Sequence, residues 1–350
     1  MSLWVDKYRP TSLEELTYHQ DLSHLIKTMT SASDFPHLLM YGPSGAGKKT
    51  RICCILKELF GEAVEKIKVD QRTFVTPSNK KLDVNIVSSV YHLELTPSDV
   101  GNYDRVVIQE LIKDVAQTQQ VDVKAKQRFK VIVINEADAL GRDAQAALRR
   151  TMEKYISNIR IIFCCGTTSK IIAPIRSRCL LVRVAGPTVE EIAKVIRNIA
   201  EKENISLHND LAIRIGERSE GNLRKAILTF ESMVMQQPNL GSNSEIPLQD
   251  WEGFVESVAK TIMKAQTPTN VLKVRTDLYE LLNHCIPASV ILKKLAFTLI
   301  KNVHENIKTS ICAEAAFYEH RLRTGQKAII HLEAFVIKVM YLILSEKNKM

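Results

Sequence analysis

Two hydrophobic rhythms divide this chain: continuous apolar runs in the first half and helical spacing in the second. His37-Leu38-Leu39-Met40-Tyr41, Lys130-Val131-Ile132-Val133-Ile134 and Ile159–Cys165 have the texture of strands buried on both faces of a parallel sheet. Leu180-Leu181-Val182-Arg183-Val184 is a shorter strand of the same kind. Val64–Asp70 alternates apolar and polar side chains, Arg72–Thr76 does likewise, and Val87–Leu95 reads as a further strand. Pro77-Ser78-Asn79-Lys80-Lys81 is a turn signal.

Helical spacing is clearest from Arg105 to Gln117, where Val107, Ile108, Leu111, Ile112 and Val115 share one side. Asp143–Tyr155 is another helix, and a third leads from residue 50 to about Phe60. Ser12 with Glu15 three residues on is a capping box that predicts a short helix. Gly186-Pro187 marks a change of texture. Beyond it, Thr188-Val189-Glu190-Glu191 caps a helix to about Lys202, Asn209 caps the next, and Gly221-Asn222-Leu223-Arg224-Lys225 opens a third. Gln236–Ser244 is a polar linker. Five helices follow, at about 248–265, 268–283, 287–303, 307–322 and 326–345. The last carries a broad stripe of Ile329, Leu332, Phe335, Val336, Val339, Met340 and Ile343, which suits an intrachain core or an oligomerisation module. The pattern predicts an α/β P-loop core with a parallel sheet and helices on both faces at 1–185. A helical lid at 186–236 and an all-α domain at 237–350 complete it.

The chemistry concentrates after the first buried run, at Gly42-Pro43-Ser44-Gly45-Ala46-Gly47-Lys48-Lys49-Thr50. Glycines between a strand and a helix start let backbone N–H groups converge on an anion, and the helix dipole favours negative charge there. Lys48 stands where a lysine reaches the β- and γ-phosphates. The next position should carry a hydroxyl for Mg²⁺ and holds Lys49 instead. Thr50 does not replace that hydroxyl, because one helical step turns a side chain by about 100°. The run at 130–134 ends in Asn135-Glu136-Ala137-Asp138. In P-loop ATPases this strand ends in Asp-Glu, the Asp holding the metal shell and the Glu preparing the attacking water. Asn135 replaces that Asp while Glu136 survives, so two separate changes weaken a metal site.

Apolar residues make up 45% of the 350 and charged ones 25%, which is ordinary globular composition. No run of about 18 apolar residues predicts a membrane span, and Met1–Pro10 lacks the apolar core of a signal peptide. Seven cysteines, two pairs adjacent and none spaced C-x-x-C, suit neither zinc nor a disulfide framework. A net charge of +9 permits nucleic-acid contact. Arg149, Arg150 and Lys154 cluster on one helix, either as a solvated face or as phosphate contacts. Trp4-Val5-Asp6-Lys7-Tyr8-Arg9-Pro10 either docks the N-terminus on the core or packs against a base.

Taken in order, Trp4–Pro10, Gly42–Lys49, Asn135–Asp138, Ser177-Arg178-Cys179 and Gly221–Lys225 resemble AAA+ sliding-clamp loaders. The resemblance spans the chain and is strongest to the small subunits of eukaryotic replication factor C. Lys49 and Asn135 narrow it to the subunit with a degenerate ATP site, called subunit 5 in fungal naming and subunit 3 in animal naming. That resemblance implies a non-hydrolysing or weakly hydrolysing subunit of a nuclear heteropentamer that loads the PCNA sliding clamp onto primer–template DNA. Val5, Tyr8, Arg9 and Pro10 would line the adenine pocket, and Gly42–Thr50 with Arg224 would hold the phosphates of ATP or ADP, with Mg²⁺ weak or absent. Arg178 resembles an arginine finger completing a neighbour's ATP site, and Glu136 would be a silent relic. Gly166 stands where the family has a polar sensor, four residues before Lys170. Glu94-Leu95-Thr96-Pro97-Ser98-Asp99 resembles the family's E-L-N-A-S-D, and residues 62–90 look like an extra hairpin. Helices bearing Arg105, Lys113, Arg149 and Arg150 would face DNA, and the terminal helices would form a collar. Alternative large subunits of checkpoint and cohesion loaders are implied as further partners. Two other readings remain: a competent AAA+ ATPase acting on DNA or protein, which intact Glu136 and Arg224 keep open, and a P-loop small-molecule kinase, which the helical last hundred or so residues oppose.

Overall fold

The computed structural model describes residues 2–31, 35–75, 81–117, 129–156, 158–237, 241 and 244–347. The turn read at Pro77–Lys81 falls almost wholly outside them, and the linker at 236–244 partly so. The chain divides into two compact units, Met1–Ile246 and Pro247–Met350.

In the first unit, α1 (Trp4–Lys7) and α2 (Gln20–Ser31) precede β1 (Leu38–Tyr41) and α3 (Lys48–Phe60). Next come β2 (Lys68–Val75), β3 (Lys81–Ser88), β4 (His92–Leu95), α4 (Asp104–Gln117), β5 (Lys130–Ile134) and α5 (Arg142–Lys154). β6 (Ile159–Cys165), α6 (Ala173–Arg176) and β7 (Leu180–Arg183) close the sheet. The strand order is β2-β3-β4-β5-β6-β1-β7. From β4 to β7 every pairing is parallel, whereas β2 pairs antiparallel with β3 and β3 antiparallel with β4. The sheet is therefore mixed: the expected parallel sheet carries an antiparallel edge. Its antiparallel edge is the hairpin of β2 and β3.

Side chains of β5 alternate between two cores. Ile132 and Ile134 enter the cluster holding Val107, Leu111 and Leu148, while Val131 and Val133 enter the one holding Ile52, Ile55 and Leu59. None of the four is more than 1% exposed. Burial of each contributes about 1.5–3 kcal/mol. The parallel arrangement brings the ends of β1, β4, β5 and β6 to one edge of the sheet, where ligands of open α/β sheets bind.

Local readings needed correction at four places. Ser12–Glu15 forms a turn and no helix; Glu15 accepts instead from the backbone N–H of Thr11 at 2.8 Å. Glu62–Glu65 is a single 3-10 turn, and the strand begins only at Lys68. Residues 87–95 belong to two strands, split by a turn in which the backbone N–H of His92 donates to Ser89 Oγ at 3.1 Å. His208, not Asn209, precedes the second lid helix.

The lid comprises α7 (Val189–Lys202), α8 (Asn209–Arg218) and α9 (Leu223–Gln236) around Ile192, Ile196, Leu211, Ile215 and Phe230. Thr188 and Glu191 form the expected capping box, and Asn222 caps α9 through the Lys225 N–H at 3.1 Å. The second unit is five helices: α10 (Asp250–Lys264), α11 (Pro268–Asn283), α12 (Ala288–Asn302), α13 (Glu305–Thr324) and α14 (Ala328–Lys347). By length and composition α14 could cross a membrane, although no apolar run in the sequence had suggested a span. Its Leu332, Phe335, Val336, Val339 and Met340 are buried among the other four helices, as a core helix requires. Ile330, Ile337, Tyr341 and Leu344, seven, four and three residues apart, form an exposed apolar face.

Candidate nucleotide site and basic groove

The loop between β1 and α3 is shaped by approaches that only glycine permits. A Cβ on Gly42 (φ 155°) would lie 1.9 Å from the Val184 carbonyl oxygen, and one on Gly45 (φ 76°) 1.8 Å from Asn222 Oδ1. Lys48 Nζ lies across the loop, donating to the carbonyls of Gly42 (2.7 Å) and Pro43 (2.8 Å). Behind the loop, Arg51 is fully buried. Its guanidinium donates to Ser23 Oγ at 2.9 Å and to the Tyr18 carbonyl at 2.8 Å, and Tyr18 donates to the Ala46 carbonyl at 3.2 Å. Burial lowers the Arg51 pKa and raises that of Tyr18. This pinning of residues 18–23 to the loop was not visible in the sequence.

Val5, Tyr8, Arg9 and Pro10 line a single cleft with Gly45, Gly47 and Thr50 from the core and Lys202, Leu223 and Arg224 from the lid. The N-terminal heptad is fastened to the lid. The Trp4 N–H donates to the Glu231 carboxylate at 3.1 Å, and its ring lies 5.3 Å from that of Phe230. Lys7 pairs with Glu203 at 2.6 Å, and the Tyr8 hydroxyl donates to the same carboxylate. Docking and lining the cleft are thus both true of this heptad, although its dock is the lid.

At the start of α3 and the ends of the neighbouring strands, Glu94 on β4 joins the two sequence departures. Its Oε1 accepts from Asn135 Nδ2 at 2.7 Å and pairs with Lys49 Nζ. The parallel register of β4 on β5, with Leu95 opposite Ile134, sets Glu94 beside Asn135. Mg²⁺ takes oxygen donors in a strict octahedron. Here the helix-start position offers an ammonium, and the end of β5 offers an amide N–H to Glu94. These residues do not fit the metal. Glu136, exposed and in the left-handed region at φ 49°, follows directly. A Cβ on Gly166 would approach Asp138 Oδ2 to 3.2 Å. Burial pushes the thiols of Cys54 up to about 11 and of Cys165 and Cys179 to about 12, so these cysteines stay protonated and inert.

Arg178 lies after α6, away from its own chain's phosphate loop in sequence, and is held by α5. It donates to the Pro174 carbonyl at 2.8 Å and pairs with Glu153. Glu153 also faces Arg149 Nε at 3.5 Å. Buried Gln145 ties α5 to the same loop, donating to the Lys170 carbonyl at 3.1 Å and accepting from the Ile172 N–H at 2.9 Å. Arg105, Gln109 and Lys113 from α4 line a groove with Asp143, Arg150 and Lys154 from α5. Arg149 turns instead toward Glu153. Asp104, buried and unmarked in the sequence, fixes the two helix starts by accepting from the N–H of Arg105 (2.7 Å) and of Gly141 (2.6 Å).

The chain is 59% identical to "Replication factor C subunit 5" of Neurospora crassa over 340 residues, covering 97% of each. It belongs to the replication factor C subunit 3/5 family. The human "Replication factor C subunit 3" is 52% identical, covering 98% of this chain and 96% of that one. The Saccharomyces cerevisiae "Replication factor C subunit 5" is 47% identical, covering 97% and 99%. Family models for the replication factor C subunit 3 C-terminal domain match 251–347, for the AAA+ ATPase lid 194–235, and for the DNA polymerase III delta subunit 18–188. A solved structure of the Thermotoga maritima RuvB Holliday junction branch migration motor shares the fold. Its TM-score is 0.51 at 15% identity, over 77% of this replication factor C chain and 85% of that one. The AAA+ core, the lid and the helical C-terminal domain are therefore those of a nucleotide-binding replication factor C subunit.

Proposed function

We propose that this chain is the non-hydrolysing, nucleotide-holding subunit of a heteropentameric clamp loader that places the PCNA sliding clamp on primer–template DNA in the nucleus. The observation that carries this reading is a phosphate cradle whose metal and sensing groups are replaced: Gly42, Gly45, Gly47 and Lys48 are in place, while Lys49, Asn135 and Gly166 stand where those groups belong and Glu136 alone is kept. Adenine sits against Val5, Tyr8, Arg9 and Pro10, and Arg224 of the lid faces the phosphates, with ATP or ADP as the bound species. Arg178, a third exposed and steadied by Glu153, reaches a neighbouring subunit's nucleotide. A guanidinium supplied in this way stabilises charge developing on a transferring phosphoryl group.

Arg105, Lys113 and Arg150, with Arg149 beside them, meet DNA phosphates without reading bases, as a loader working at any primer end needs. The exposed face of Ile330, Ile337, Tyr341 and Leu344 packs against the other replication factor C subunits in a collar. The same face serves the alternative large subunits of checkpoint and cohesion loaders. The deciding experiment measures ATP turnover by the reconstituted complex with Arg178→Ala or Glu136→Gln in this chain. The first change depresses turnover and the second leaves it intact. The reverse outcome would make this chain a competent ATPase, the reading that Glu136 at the sheet edge otherwise favours.

A further inference from the structure

We infer that the Lys49 ammonium, anchored by Glu94, stands in place of a divalent cation and makes this a metal-independent nucleotide site. The inference rests on the nucleotide reading of the cleft and adds its counterion and a positioning residue, Glu94. Three observations meet. Lys49 is the second residue of α3, one step beyond the phosphate-facing Lys48, and its side chain is half exposed toward solvent. Glu94 is mostly enclosed, its side chain 14% exposed, and a carboxylate so placed needs a cation or donors beside it. Asn135 Nδ2, at 2.7 Å, fills the rest of that need.

Charge explains why the two departures occur together. An aspartate at 135 would set a second carboxylate within 2.7 Å of Glu94, and two like charges that close require a shared proton or a cation between them. A divalent ion facing two carboxylates is neutral, and so is one ammonium facing one carboxylate and an amide. Lys49 and Asn135 are thus a matched exchange, and Glu94 is the group both answer to. The ammonium is covalently fixed at the helix N-terminus, so its charge is present at any metal concentration. It suits phosphate oxygens as a point charge.

Calorimetric titration of the full chain with ADP, in Mg²⁺ or in excess chelator, tests this. Wild-type affinity is the same in both. Lys49→Thr uncovers the Glu94 carboxylate beside the phosphates, weakens binding in chelator on the order of tenfold, and lets Mg²⁺ restore it. Lys49→Thr/Glu94→Gln removes the uncovered charge and with it the Mg²⁺ response. Lys49→Arg keeps the charge and the metal independence, and serves where the Thr variant fails to fold. Wild-type binding that collapses in chelator would overturn the inference, as would a Lys49→Thr affinity unchanged there. Absence of ADP binding by the wild type in both conditions would instead sink the nucleotide reading itself.

Discussion

The nucleotide cleft and the basic groove share one sheet but are specified by different means. The cleft is defined by backbone: glycines so close to Val184 and Asn222 that any Cβ would overlap them, a buried Arg51 pinning residues 18–23, and a strap fastened to the lid. The groove is defined by long, exposed, individually dispensable side chains on two helices whose backbones Asp104 holds in register. The first arrangement is all or nothing, because steric fit fails at once. The second is graded, because each charge contributes separately and is screened by salt.

The largest expected effect follows from the contact proposed for Arg178 with a neighbouring subunit. Arg178→Ala should lower turnover of the assembled complex by about 10³–10⁵ at the site it completes, by analogy with arginine supplied in trans to other NTPases. Nucleotide held by this chain should be unaffected. Single-turnover kinetics on the complex measure both, and equal loss at every site would erase the distinction between cleft and surface.

Gly42→Ala comes next. Its methyl group meets a backbone carbonyl at 1.9 Å, and the positive φ adds strain. ADP binding should be lost altogether and stability should fall by about 1–3 kcal/mol. A variant that binds ADP normally would show the cleft to be as forgiving as the groove.

The end of β1 away from the phosphate loop should also respond to acid. His37, immediately before β1, accepts from the Ile161 N–H at 3.0 Å; burial, with Arg160 nearby, lowers its pKa to about 4. The unfolded chain binds the proton more readily, so stability is full above about pH 6.5 and declines as pH falls toward 4. The total loss is about 3 kcal/mol at most. His92, buried and shifted the same way, adds to the slope. Urea midpoints from pH 7.5 to 5 should therefore be flattened only in part by His37→Asn, which retains an acceptor.

The smallest effect is a difference between neighbours. Arg150 lines the groove and Arg149 faces Glu153. Arg150→Ala should lower the log–log salt slope of primer–template binding by about 0.9, equivalent to roughly threefold in affinity across a fourfold salt range. Arg149→Ala should change it less. Equal slopes would return both to an undifferentiated solvated face.

What could be read from the sequence follows the same division. The β1 loop, the buried strands and the five C-terminal helices are local patterns, and they were legible. The Ser12–Glu15 box misled because Glu15 found the Thr11 N–H in a turn, a competitor that the motif alone does not exclude. α1 and α2 went unread. The sequence fused 87–95 into one strand because alternation continues through a turn that tertiary pairing breaks, whereas it split 64–76 although Lys68–Val75 is one strand. Glu94 was seen only as part of a strand-plus-loop motif. Its partnership with Lys49 and Asn135 depends on the register of β4 on β5, which no single-strand pattern carries. Asp104 and Gln145 were invisible for the same reason: each closes a gap between segments distant in the chain.

The strap at the N-terminus has a consequence for the order in which the molecule is made. Trp4 bonds to Glu231, 227 residues later. At a synthesis rate of about 5–20 residues per second, Trp4 is made roughly 11–45 s before its partner exists. Through that interval the indole, Val5 and Tyr8 have no lid core to enter, although β1 and the phosphate loop are already translated. Residues 4–8 are thus among the last of this unit to find their places, and the nascent chain carries an unshielded aromatic segment until α9 emerges.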